Sequence, residues 1–268
     1  MNTNDFLHFM DQPNLQARIV REFNSIISEQ GAEQKGCNPL VHYLRRKKLN
    51  DEANQEASFV DGYDTHRKFL CIKNPSVKDR DMFWQAVWDN KVQIIVMTCQ
   101  LIDQTYQYWS PKERYTLVNK KFNVKTLKII IFPHYTITVL SLYQTGPKYK
   151  QSRPIFHYQY TAWPKEKFDH QLDAFVEFHN FVNERYVKLK KQVADKTFPP
   201  MLVHCNEGIG SSDVFCALDM CIYQLKATGI VSLPHTLKIM RQQKFGSFCH
   251  SDLYVLSYRL IKAYLDNN

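Results

Sequence analysis

The chain has no CxxC pair and no His/Cys spacing of the kind that holds a metal, although it carries seven cysteines in 268 residues. No stretch approaches the ~18 consecutive apolar residues that a membrane span needs. The opening Met1-Asn2-Thr3-Asn4-Asp5 lacks both the basic start and the long apolar core of a signal peptide, so none is expected. Internal repeats, low-complexity tracts and a domain linker are also missing. A metal-stapled fold and an integral membrane protein are thereby disfavoured, and the expectation is no metal and no other cofactor. The odd number and scattered placement of the cysteines argue for a reducing compartment, so a cytoplasmic location is expected.

What is present is core-forming. An apolar fraction of 44% with 13% aromatics is enough for a sizeable interior and leaves little room for disorder. Thirty-five basic against 26 acidic residues leave a net charge of +9. Such a surface attracts acidic partners, whether phosphoproteins, anionic lipid or nucleic acid, and a merely solvated basic surface explains it equally well. The run Arg45-Arg46-Lys47-Lys48 fits an exposed loop better than a dedicated anion patch. Nucleic acid is not the expected partner, because no aromatic residues interleave with that run.

Periodicity predicts helices over 1–34, 81–88, 172–191, from about Ser212, from Leu233 and over 252–265. Strands are predicted over 69–72, 92–97, 127–132, 135–142, 156–160 and 201–203. The β-branched run Val92 to Met97 fits a strand buried on both faces.

One stretch organises the rest: Leu202-Val203-His204-Cys205-Asn206-Glu207-Gly208-Ile209-Gly210-Ser211-Ser212-Asp213. A short apolar strand, a tight loop with two glycines and a helix follow one another. The backbone N–H groups at such a helix start can cradle an anion. Cys205 stands at the entrance, where a helix N-terminus favours the nucleophilic thiolate.

This stretch resembles the signature loop of the protein tyrosine phosphatases: His-Cys, five residues, Arg, then Ser or Thr. His204, Cys205, Gly208, Ile209, Gly210 and Ser212 fit it. Further family landmarks follow in order. They include Glu22-Phe23, Phe83-Trp84 with Val87-Trp88, Ile94 to Met97, Gln107 to Pro111, Thr161-Ala162-Trp163-Pro164, and Arg241-Gln242-Gln243-Lys244. The resemblance covers roughly residues 15–266. It implies a single α/β domain spanning 1–268, a highly twisted mixed sheet flanked by helices on both sides. It also implies that the loop backbone, Asn206 to Gly210, cradles phosphate, and that His204 tunes the thiol. Gln243 matches a structural glutamine of the family.

The departures from the family pattern bear on function. Ser211 stands where the family's arginine grips two phosphate oxygens, and a neutral hydroxyl cannot replace a bidentate guanidinium. Such a charge-assisted bond is worth about 1.5–3 kcal/mol, and more in a transition state whose charge lies where the donors are aimed. Lys165 replaces the aspartate that serves as general acid and then base. An ammonium cannot accept a proton, and neighbouring Glu166 or Asp169 would have to substitute from a displaced position. Cys249 replaces the water-positioning glutamine. Asn38 falls where a tyrosine stacks on the substrate ring, with Tyr43 a partial substitute. Glu207 would repel a phosphate dianion unless it points away.

With the nucleophile position retained and three partners lost, the expected function is a pseudophosphatase that acts by binding or competing within phosphotyrosine signalling. The alternative is a weakly active phosphatase that uses Cys205. The texture of the chain also resembles the tyrosine phosphatase-like proteins of bracoviruses. That resemblance implies host signalling proteins as partners, host cytoplasm as the location and disturbance of host immune cells as the outcome.

Overall fold

The computed structural model describes residues 1–34, 57–101, 105–118, 120–145, 152–163, 171–193 and 198–267. Eight strands form one sheet: β1 (Ser58–Val60), β2 (Phe69–Lys73), β3 (Ile94–Met97), β4 (Thr116–Val118), β5 (Phe122–Ile131), β6 (Tyr135–Gln144), β7 (Ser152–Tyr160) and β8 (Met201–Cys205). Their order is β1-β2-β8-β3-β7-β6-β5-β4. The central four strands, β2, β8, β3 and β7, are parallel, and the flanks are antiparallel. The sheet is therefore mixed. Strands β4 and the first residues of β5 and β7 extend it beyond the predicted spans.

Seven helices accompany the sheet among the described residues: α1 (Thr3–Met10), α2 (Leu15–Gln34), α3 (Arg80–Asp89), α4 (Leu172–Lys190), α5 (Ser211–Thr228), α6 (Leu233–Gln243) and α7 (Ser251–Asp266). The predicted helical lead-in over 1–34 is two helices, not one. The break falls at Asp11–Asn14, where Pro13 removes an N–H donor and Asn14 takes a left-handed φ of 57°.

The strands alternate their side chains between two cores. Phe69 and Cys71 of β2, Ile94 and Val96 of β3, and Met201 and Val203 of β8 join the larger core with α2, α4, α5, α6 and α7. Leu70, Ile72, Ile95, Met97 and Leu202 face the smaller one, closed by α3 and by Tyr106 to Trp109. Helices on both faces explain why the central strands read as unbroken apolar runs: all four residues of β3 are buried. Glu22 ties the lead-in to the last helix, since its carboxylate accepts from the hydroxyls of Tyr254 (2.6 Å) and Tyr258 (2.7 Å). None of the described helices is long and apolar enough to cross a membrane.

Strand β8 lies between β2 and β3, parallel to both. Its last residue, Cys205, leaves the sheet at the carboxyl ends of the parallel strands. That edge is where open α/β sheets place their ligands.

Candidate functional site: the Cys205 loop

All five residues of β8 are buried, so the strand delivers Cys205 to a fixed point. The turn that follows depends on glycine twice. Gly208 has φ +76°, and a Cβ there would sit 3.1 Å from the backbone N of Lys73; Gly210 has φ +114°. Helix α5 then starts at Ser211. Its first three turns are buried almost all round, so it is a central helix and not an amphipathic surface one.

The Cys205 sulfur is 3% exposed with its residue. It lies 3.2 Å from the carbonyl oxygen of Ile209 and 3.3 Å from Ser212 Oγ. Ser212 Oγ in turn donates to the Gly208 carbonyl (3.2 Å). A thiol proton satisfies the Ile209 contact; a thiolate would face the negative end of a carbonyl dipole.

Ser211 turns away from the loop. Its hydroxyl donates to the Thr98 carbonyl (2.8 Å) and pairs with Thr98 Oγ1 (2.9 Å) just beyond β3. Glu207 also points outward, where its carboxylate meets Lys73 Nζ at 3.0 Å in an exposed pair. Its charge is thus balanced outside the loop. Among the loop amides, Gly208 N–H donates to the Cys205 carbonyl (3.2 Å) and Gly210 N–H to Asp213 Oδ2 (3.0 Å). The cradle expected from sequence therefore has the Gly210 donor already committed.

His204 faces the smaller core. The Tyr108 hydroxyl sits between His204 Nε2 (2.6 Å) and His157 Nε2 (2.8 Å), so it donates to one ring and accepts from the other. Burial pushes the His204 imidazole down to about 3, and burial with His204 beside it drives His157 well below the usual histidine value. Both rings are therefore neutral packing groups at physiological pH. Cys99, at the loop's other wall, is pushed up to about 12 by burial first and by Cys205 second, against the Asn206 N–H.

Cys249 is exposed and follows Phe248, whose φ is 53°. Burial of its sulfur and the nearby Asp213 and Cys205 raise its thiol above the ordinary value. Gln243 plays the structural part expected of it, since its amide brackets Asp61, accepting from the backbone N–H (2.8 Å) and donating to Oδ2 (2.7 Å). Lys165, Glu166, Asp169, Asn38, Tyr43 and the run Arg45 to Lys48 lie outside the described residues. Trp163, two positions before Lys165, is held next to β3 by Gln100 Nε2 donating to its carbonyl (3.0 Å).

A strand–loop–helix carrying His-Cys at the carboxyl edge of a mixed eight-stranded sheet invites a comparison with known proteins. Residues 40–263 match the family model "Protein-tyrosine phosphatase". The chain belongs to the protein-tyrosine phosphatase family. It is 33% identical to "Probable tyrosine phosphatase protein J2" of Microplitis demolitor bracovirus, across 99% of this chain and 94% of that protein. "Probable tyrosine phosphatase protein J4" of the same virus is 31% identical, across 98% and 91%. The human "Tyrosine-protein phosphatase non-receptor type 9" is 29% identical, across 78% of this chain and 37% of that protein.

In this family member the loop after β8 holds the Cys205 sulfur against the Ile209 carbonyl and turns the Ser211 hydroxyl onto Thr98. Sequence reasoning passed over three residues that shape this loop: Thr98, Asp213 and Lys244. Asp213 had a readable signal. A carboxylate at the third position of a helix can reach back to the N-cap amide, and here it does. Thr98 and Lys244 come from distant segments and had none. Among the described residues no cluster of His, Cys, Asp and Glu could hold a metal ion.

Proposed function

We propose that this chain is a non-catalytic member of the protein-tyrosine phosphatase family, a pseudophosphatase that acts by binding within phosphotyrosine signalling. The observation that carries this reading is the Ser211 hydroxyl. It offers no charge, and it is spent on Thr98 and not aimed into the loop. The Lys165 and Cys249 replacements add the loss of a general acid and of a water-positioning amide. A net charge of +9 favours acidic signalling proteins as partners. Kinship with bracovirus proteins supports a setting in the cytoplasm of a parasitised host, with disturbed immune-cell signalling as the outcome.

The test compares wild type with Cys205→Ser on a phosphotyrosyl peptide and an activated aryl phosphate. The expected result is equal, background turnover in both. Saturable wild-type turnover that disappears in Cys205→Ser overturns the reading and establishes a weak cysteine-dependent phosphatase instead.

A further inference from the structure

Asp213 is wholly buried, and four donors converge on its carboxylate. Oδ2 accepts from the backbone N–H of Gly210 (3.0 Å) and of Phe248 (3.2 Å). Oδ1 accepts from Ser247 Oγ (3.3 Å) and from the Lys244 ammonium. Two amides, a hydroxyl and an ammonium make the donor set by which proteins hold a small oxyanion. Here the oxyanion is part of the chain. Burial works to lower the Lys244 ammonium, but the Asp213 charge, with Cys71 and Cys216 adding to it, raises it above the ordinary lysine value. The lysine is thus a fixed cation serving Asp213.

The same contact sets the main chain. The Ile209 carbonyl and the Gly210 N–H belong to one peptide, and the two ends of a peptide point in opposite directions. With the N–H drawn to Asp213, the carbonyl is turned to within 3.2 Å of the Cys205 sulfur. A carbonyl oxygen there repels both a thiolate and an approaching phosphate oxygen. An N–H in its place would attract both.

We propose that Asp213 is the built-in anion of this loop: its carboxylate fills the oxyanion donor set at the start of α5 and holds the Ile209–Gly210 peptide with its carbonyl toward Cys205. This deepens the pseudophosphatase reading and rests on it for the identity of the loop. Asp213 is a positioning residue. It acts on Cys205 through the peptide and touches no substrate.

The experiment uses the full chain as wild type and as Asp213→Gly. Thermal unfolding is followed while sodium formate or inorganic phosphate replaces chloride at constant ionic strength. Alkylation of Cys205 by iodoacetamide at neutral pH is read by peptide mass, which separates it from exposed Cys249. Wild type is expected to be indifferent to the anions. Asp213→Gly is expected to gain about 3 °C or more as the added anion fills the vacated donors, and its Cys205 is expected to react about tenfold faster. A folded Asp213→Gly with no anion-dependent gain over chloride and an unchanged Cys205 rate overturns the inference. Should that variant not fold, amide hydrogen exchange in wild type decides. A Gly210 N–H protected at least about 100-fold supports the inference, and a freely exchanging one overturns it. Wild-type phosphate-ester turnover would sink the pseudophosphatase reading alone. Failed anion rescue with an unchanged Cys205 rate, and without turnover, would sink the Asp213 inference alone.

Discussion

Helix α5 carries two buried aspartates less than two turns apart, Asp213 and Asp219, and each is paired with a lysine from a distant segment. Asp219 lies in the scaffold. Its carboxylate meets Lys68 Nζ at 2.6 Å and His179 Nε2 at 3.3 Å. The Lys68 ammonium also rests on the Tyr223 ring, 3.7 Å from its centroid. All these partners are side chains. Asp213 instead takes two of its four bonds from backbone N–H groups, one in the loop and one in the segment that carries Cys249. The first pair clamps α5 to its neighbours. The second decides which way a peptide faces. A buried ion pair is weak evidence for stability as such, and here the useful distinction is what each carboxylate is bonded to.

Breaking the lysine of each pair tests that distinction. Lys68→Met and Lys244→Met each leave a buried carboxylate without its cation, and each is expected to cost about 3–5 kcal/mol in denaturant unfolding. Only Lys244→Met is expected to change the alkylation rate of Cys205. Equal Cys205 rates in the two variants would erase the contrast between scaffold and site.

A pH scan sharpens it next. His204 is held neutral by burial, down to about 3 against an unfolded value near 6.5. A folded-state pKa below the unfolded one means that the unfolded chain binds the extra proton first. Stability is therefore full above about pH 6.5 and falls toward about pH 3, by about 1.4 kcal/mol per pH unit for one histidine. His157 moves in the same direction. Burial raises the Asp219 carboxyl, but Lys68 and His179 outweigh it and hold it below its usual value of 3.8, so that pair contributes no loss until lower pH. Unfolding free energy that stays flat from pH 7 to 4 would contradict the buried-histidine account.

The smallest effect belongs to Ser211→Ala. It removes one neutral hydroxyl bond to Thr98 and is expected to cost about 1 kcal/mol in unfolding free energy. The same assays as above should show no change in phosphate-ester turnover. A turnover loss on this substitution would place the hydroxyl in the chemistry and not beside it.

Much of the fold could be read from letters. Apolar runs at Ile94 to Met97 and Met201 to Val203 had to be buried strands, and the spacing around Phe175, Phe178, Val182 and Tyr186 had to be a helix packed on a core. The break at Pro13-Asn14 was readable too, since proline brings no N–H donor to a helix, but the apolar spacing from Leu15 to Ile27 was extended across it. At the site, Cys205 and the glycines could be located by the strand–loop–helix pattern, because a tight loop between strand and helix permits few arrangements; Ser211 stood out only through the resemblance to the family's signature loop. Whether Glu207 would poison the loop could not be read. The answer depends on Lys73, at the end of a strand paired in parallel with β8.

The sequence by itself determined the family, the order of the elements and the identity of the residues around Cys205, since periodicity and motif spacing are properties of neighbours along the chain. Only the tertiary structure decided where the Ser211 hydroxyl, the Glu207 carboxylate and the Gly210 N–H would point. The Ser211 and Glu207 directions are set by partners far away in sequence, Thr98 and Lys73, and the Gly210 N–H by the neighbouring Asp213 carboxylate, itself fixed by distant Lys244 and Phe248. In a buried loop every polar group must find such a partner, and the partner it finds fixes what the loop can bind.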